Sequence, residues 1–417
     1  MIKTLVNAWR LPDLRKKLIF TMFMLVIFQL GTVIPVPGIM KDALKSLMGI
    51  GQGGGTVFDL VNIISGGAME QASIFAMSIT PYVNSSIIMQ LLTVAIPSLE
   101  KIAKEGEEGR KIIGKWTRYV TVILAFIQAS GLYVGLSNAN SLTNPGFMSF
   151  VTITLSFTAG TAFLMWIGEQ ITEKGIGNGI SVIIFAGIVS RGPQLIASLY
   201  ALFLDKWYLA LILVALCLII VAFVVTINDA ERRIQVQYAK RMVGRKMYGG
   251  QSSHIPFKVS MAGVIPIIFA SSILSFPATI ARLFTSGEVA WINNFMTSPL
   301  YAILYFVLII FFTFFYTAMM YNPIEMANNI KSNGGFIPGI RPGKPTSDFI
   351  TKVMNKVTVI GAIAIALIAV LPILMSSGNM AVAFGGSSLL ILVGVAIEIY
   401  RQLESQMLMR NYKGFLD

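Results

Sequence analysis

WYLALILVALCLIIVAFVVTINDAERR, residues 207 to 233, decides what kind of protein this is. Its first 21 residues carry no charge, and then Asp229, Glu231, Arg232 and Arg233 arrive together. A helix rises about 1.5 Å per residue, so about 20 apolar residues cross the roughly 30 Å hydrocarbon core of a membrane. The stretch therefore reads as a membrane span that ends on a basic edge. The single cysteine, Cys217, lies inside it, so no intramolecular disulfide is possible.

Nine more apolar segments lie on either side, near 18–37, 72–96, 119–137, 149–168, 175–190, 259–280, 300–320, 357–375 and 381–399. The chain is 55% hydrophobic and 12% charged, whereas a soluble domain is about 25% charged. A basic start, MIKTLVNAWRLPDLRKK, leads into a full-length apolar run with no small-residue cleavage site near its end, so no cleavable signal peptide is expected. Ten spans place both termini on one side of the membrane. Loops on the side of the termini hold 27 of the 32 lysines and arginines; the opposite loops hold 5, namely Lys41, Lys45, Arg191, Lys206 and Arg282. Positive residues stay inside, so both termini are expected to be cytoplasmic.

Of the net charge of +13, two long cytoplasmic loops, 228–258 and 322–349, hold ten lysines and arginines against four acidic residues. Anionic lipid accounts for a basic cytoplasmic loop as readily as a partner does. The length of these two, about 30 residues against the usual 2–8 between helices, favours a partner. So do their Gly-Gly, Pro-Gly and Gly-Lys-Pro tips, which shape stiff hairpin-like projections. Such basic projections suit ribosomal RNA or an acidic protein groove. Lys240, Arg241, Arg245 and Lys246 in the first loop, with Arg341 and Lys344 in the second, are the candidate docking residues.

Within the spans, ionisable side chains are scarcely present before Glu398. Ion-coupled transporters bury charged relay groups at mid-membrane, which makes proton coupling a poor fit. The polar groups are neutral: Gln29, Thr80, Asn84, Ser85, Ser86, Gln90, Gln128, Ser271, Ser272, Ser387 and Ser388. Contacts between helices are the expected use of such groups. His254, the sole histidine, falls in a basic loop, and no Cys/His cluster could hold a metal. GQGGGT (51–56) lacks the Lys-Ser/Thr end of a phosphate loop, and GIGNG lacks dinucleotide spacing. No catalytic site, cofactor or metal is expected, and no DNA partner. Ten spans split into two sets of five with opposite starting sides, as in inverted-repeat channels and transporters. The expected division is 1–190, an external hinge at 191–207, and 208–417.

Long blocks now carry a resemblance: SGGAMEQASIFAMSITPYVNSSIIMQLL, EGEEGRKI, LMWIGEQITEKGIGNGISVIIFAGIV, HIPFKVSMAGVIPIIFASSIL, YNPIEMANNIKSNGGFIPGIRPGKPT and FGGSSLLILVGV. They resemble the SecY family, the pore subunits of the bacterial protein-translocation channel, from the first span to the last. The resemblance implies an all-α polytopic fold with two five-helix halves around a central pore in the bacterial plasma membrane. It implies SecE and SecG as small membrane partners, and the SecA ATPase or a ribosome as the driving partner. Signal sequences, unfolded polypeptides and membrane lipid would be the remaining contacts.

By the same resemblance, an aliphatic pore ring falls on Ile79, Val83, Ile184, Ile268 and Ile391. Such a ring holds back ions by dewetting, and Ile79 and Val83 would share one helix face at i and i+4. The abbreviated apolar run of Val57, Phe58, Asp59, Leu60, Val61, Asn62, Ile63, Ile64, Ser65, Gly66 and Gly67 resembles the plug. Asn84, Gln128 and Ser272 fall on helices of the lateral gate, and Pro81 should weaken the second span at mid-helix. The sequence thus points to a channel subunit that passes unfolded secretory polypeptides and releases membrane segments sideways. An inverted-repeat transporter of a small solute is the alternative.

Overall fold

The computed structural model describes residues 9–40, 62, 65–138, 140–238, 241–243, 246–248, 252–284, 295, 298–376 and 386–413. Proline marks many of the helix starts. Pro12, Pro81, Pro97, Pro193, Pro299 and Pro323 each stand in a first turn, where the missing N–H has no partner to lose.

The amino-terminal half contains α1 (Pro12–Val33), α2 (Thr80–Ala95), α3 (Pro97–Lys104), α4 (Glu107–Asn138), α5 (Phe147–Lys174) and α6 (Gly179–Ser190), and α7 (Gly192–Asp205) follows in the stretch expected as the hinge. The carboxy-terminal half contains α8 (Trp207–Asp229), α9 (Ile265–Phe284), α10 (Pro299–Met320), α11 (Pro323–Ser332), α12 (Lys344–Ser376) and α13 (Gly386–Lys413). Among the described residues, seven helical stretches are long and apolar enough to cross a membrane, and α2 with α3 makes an eighth, bent by 103°. With α9 and α13 these correspond one to one with the ten expected spans. The bend sits at Ile96, extended at φ −109° and ψ 112°, as the residue before a proline must be.

Three details depart from the sequence expectation. The second span does not begin at 72. Residues 65–79 form turns, and Ala72 and Ser78 have φ of +48° and +53°. This irregular chain is pinned to the end of α1, where the Ile74 amide donates to the Ile34 carbonyl at 3.0 Å and the Val36 amide to the Ala72 carbonyl at 2.9 Å. Glycines make the room: a Cβ at Gly31 would land on the Phe75 ring, and one at Gly160 on the Ile74 carbonyl. Non-helical backbone is tolerated at membrane depth when it is buried in protein in this way. Pro81 accordingly starts α2 and does not weaken it at mid-span.

The fifth span is also shifted. Residues 175–178 form a tight reversal with Gly177 at φ +86°. Asn178 caps α6, its Oδ1 accepting from the amides of Ile180 and Ser181. Backbone packs on backbone here, since a Cβ at Gly179 would strike the Gly168 carbonyl. The expected hinge at 191–207 is mostly helix α7, and α6 with α7 forms one apolar stretch, Gly179–Asp205.

The third departure is a small sheet. The two basic loops are not separate arms. β1 (Glu231–Tyr238) pairs with β4 (Ser252–Lys258) from the same loop and with β5 (Gly335–Phe336) from the other, all antiparallel. The register sets Ile234 opposite Ile255 and Tyr238 opposite Gly335. β2 (Arg241–Val243) and β3 (Lys246–Tyr248) form a hairpin. Under the sheet, Ile234, Val236 and Phe257 pack with Ile330, Ile337 and Ile350 from the second loop and α12. The two loops share one apolar core.

Candidate functional site

The halves meet along two seams. On one, α9 packs against α2 and α4; on the other, α13 packs against α6. Between them lies the main apolar core, and all five expected ring residues belong to it. Ile79, Ile184 and Ile391 are 2%, 1% and 1% exposed, Val83 8% and Ile268 9%. Four different elements supply them, two from each half. Ile79 precedes α2 as its N-cap, at φ −90° and ψ 1°. The Val83 amide still donates to the Ile79 carbonyl at 3.0 Å, so the two remain one turn apart although only Val83 is inside the helix.

The expected gate residues are carried by the helices of the first seam. Asn84 on α2 and Ser272 on α9 are buried, and Gln128 on α4 is half-buried. Several of the neutral polar groups bond within their own helices. Ser85 donates to the Pro81 carbonyl (2.8 Å), Ser271 to the Ile268 carbonyl (2.9 Å) and the Gln90 amide to Ser86 Oγ (3.2 Å), all on their own helices. Threonines 117, 121, 158, 313 and 317 bond back to the carbonyl four residues earlier in the same way. With no water in the hydrocarbon, an intrahelical carbonyl is the nearest acceptor for a short hydroxyl.

Of the expected plug, Val57, Phe58, Asp59, Leu60, Val61, Ile63 and Ile64 lie outside the described residues. Asn62 and Ser65 are fully buried. The Asn62 carbonyl accepts from Ser65 Oγ at 3.0 Å and from the Gly67 amide at 2.9 Å, closing a turn. Gly66, at φ +69°, lies against α6, where a Cβ would come within 3.3 Å of Gly187 Cα.

Of the expected docking residues, Lys240 and Arg245 lie outside the described residues. Arg241 and Lys246 are paired by their backbones with Tyr248 and Val243 in the hairpin. Arg341 and Lys344 are exposed. Their turn is set by Gly339 and Gly343, at φ +80° and +105°, and by Thr346 Oγ1, which donates to the Arg341 carbonyl at 2.9 Å. His254 is exposed on β4, and no group of three potential metal ligands occurs among the described residues.

Sequence reasoning missed two ion pairs that tie distant segments. Arg401 on α13 donates to Asp229 Oδ1 (2.6 Å) and to the Asn228 carbonyl (2.7 Å) at the end of α8. Burial, then the nearby Arg401 charge, holds the Lys258 ammonium below its ordinary range. The second pair is Arg191 with Glu70 at 3.1 Å, where the chain after Gly67 meets the end of α6. Separations of 172 and 121 residues left no local pattern to read.

Two five-span halves, joined at two seams over a shared aliphatic core, define a membrane channel of the polypeptide-conducting class. The family profile described as SecY matches residues 73–400. The protein translocase subunit SecY of Bacillus subtilis (strain 168) is 46% identical over 435 aligned residues, covering 100% of both chains. A SecY structure whose plug domain is described as stabilising the closed state of the translocation channel superposes with a TM-score of 0.66 at 18% identity, covering 94% of this chain and 92% of that one. Sec61 from the canine ribosome–channel complex superposes at 0.62 and 16%, with the same two coverages. The chain belongs to the SecY family.

Proposed function

We propose that this chain, in the plasma membrane of a bacterium with both termini in the cytoplasm, passes unfolded secretory polypeptides through its centre and membrane segments through its first seam. The observation that carries the reading is the convergence of Ile79, Val83, Ile184, Ile268 and Ile391 from both halves into one buried cluster. A wall that must accept any sequence has use for side chains without directional bonds. Fully burying each is worth about 1.5–3 kcal/mol, so the cluster closes on itself when no chain occupies it. A dry aliphatic constriction also stops ions by dewetting. Residues 57–67 serve as the plug, and Asn84, Gln128 and Ser272 line the lateral exit.

SecE and SecG are the small membrane partners on this reading. SecA or a translating ribosome docks on the cytoplasmic sheet, with Arg341 as the leading contact. The test is crosslinking. A photoreactive group in an arrested secretory precursor should react with positions 79, 184, 268 and 391 at one chain depth. Crosslinks confined to lipid-facing residues such as Phe223 would remove the central pathway.

A further inference from the structure

The foot of the segment 57–67 is tied to the outer end of α6 by a set of contacts that the channel function does not require of a simple plug. Asn62 is fully buried, and its Oδ1 accepts from the Glu70 amide at 3.2 Å. That bond and the turn closed on the Asn62 carbonyl tie Asn62 to residues 65–70 as one knot. The knot touches α6 twice: at Gly66 against Gly187, and through the Glu70 carboxylate, which accepts from Arg191 Nη2 at 3.1 Å. Arg191 is the C-cap of α6 and the residue before α7. Its Nε also donates to Gln194 Oε1 at 3.1 Å, which aims the guanidinium back toward the knot. The Arg191 and Glu70 side chains are 20% and 28% exposed. A pair this sheltered is screened less by salt than a surface pair, and a cation at a helix C-terminus is favoured by the dipole.

We propose that the Glu70–Arg191 pair is a specificity-determining latch, which fastens the plug's foot to the junction of the two halves and sets how strong a signal sequence must be to open the channel. This rests on reading 57–67 as the plug. The knot cannot leave the outer mouth while the pair holds, and the junction cannot turn freely while the knot stays. Plug release and movement of the halves are therefore one event. A signal sequence must supply the free energy of breaking the pair; a weak one does not.

The experiment uses the purified channel with its small subunits in planar bilayers, in parallel with translocation of a precursor bearing a weakened signal sequence. Glu70→Gln and Arg191→Gln should each raise the resting open population about tenfold, a factor equal to about 1.4 kcal/mol. Each should also admit the weak-signal precursor several-fold faster. The exchanged double variant, Glu70→Arg with Arg191→Glu, should return toward wild type, which a merely misfolded single variant would not do. Gln194→Ala, which removes the bond that aims the guanidinium but keeps both charges, should raise conductance by less than either single variant. Wild-type conductance in both single variants, or an exchange no better than the singles, would overturn the latch. Deletion of 57–67 separates the two readings. If deletion raises conductance and Glu70→Gln does not, the latch alone fails; if deletion itself changes nothing, the plug reading fails with it.

Discussion

The centre of this molecule and the sheet built from its two basic loops both rest on aliphatic side chains, yet they hold together by different physics. At the centre, Ile79, Ile184, Ile268 and Ile391 come from separate elements in both halves and join one buried cluster without a shared register. In the sheet, Ile234, Val236 and Phe257 stand on strands whose pairing is fixed residue by residue. Burial without directional bonds can be given up and regained along any path, whereas a ladder of hydrogen bonds has one arrangement. The centre suits an opening that takes every polypeptide. The sheet suits a platform that must present the same face each time. Joining both basic loops in one core also means that force on either loop reaches β1, and through Asp229 and Arg401 the end of α8 and the middle of α13.

The largest effect should come from the centre. Ile79→Ser with Ile268→Ser removes two buried aliphatic groups, a loss of roughly 3–6 kcal/mol of closed-state packing at about 1.5–3 kcal/mol each. Resting ion conductance should rise at least tenfold in planar bilayers while the sheet keeps its protease resistance. A conductance equal to wild type would break the comparison at once.

Phe257→Ala asks the converse question. Phe257 is 2% exposed under the sheet, and truncating a buried phenylalanine costs about 3–5 kcal/mol. Limited proteolysis should open the loop at 228–258 and, because the core is shared, the loop at 322–349 as well. Resting conductance should stay as in wild type. Cleavage confined to the first loop would show that the two do not form one body.

Arg341→Glu sharpens the platform side. Losing one member of a buried interfacial charge pair costs roughly 2–5 kcal/mol. SecA-driven translocation into vesicles should fall at least tenfold, with insertion and resting conductance unchanged. Lys344→Glu, three residues beyond at the start of α12, should be milder. Equal, mild losses for both charges would point to anionic lipid as the contact.

What the sequence made legible tracks the same division. A span announces itself by composition alone, because lipid demands about 20 apolar residues whatever surrounds them, and all ten were readable. The ring positions were accessible only through the resemblance, since Ile79 or Ile391 has no local property that differs from its apolar neighbours. The sheet was invisible because β1 takes its second partner from Gly335 and Phe336, about a hundred residues on, and turn chemistry says nothing about pairing at that range. The irregular chain at 72–79 was misread as helix for a related reason. Its apolar composition fits a span, and what keeps it unwound is the space left by Gly31 and Gly160 on other helices.

The finest test concerns the backbone beneath Arg341. Gly339 and Gly343 hold φ of +80° and +105°, and a Cβ at either would meet nothing within 4 Å. A methyl group there makes no clash, so its whole effect is conformational. Left-handed backbone costs an L-residue roughly 1–2 kcal/mol, and the stiffer unfolded chain offsets about 0.4–1 kcal/mol of that. Gly343→Ala should be the worse of the two, because +105° lies beyond the left-handed region near +57° that non-glycine residues reach. Gly339→Asn should be milder than Gly339→Ala, since asparagine tolerates positive φ better than most residues. If a partner's groove reads a fixed guanidinium, SecA binding should weaken in the order Gly343→Ala, Gly339→Ala, Gly339→Asn, by no more than about fivefold. No charge changes in this series, so an anionic lipid surface would bind all three like wild type. Equal SecA affinities across the series would mean that the platform supplies charge alone and that its single register is dispensable for docking.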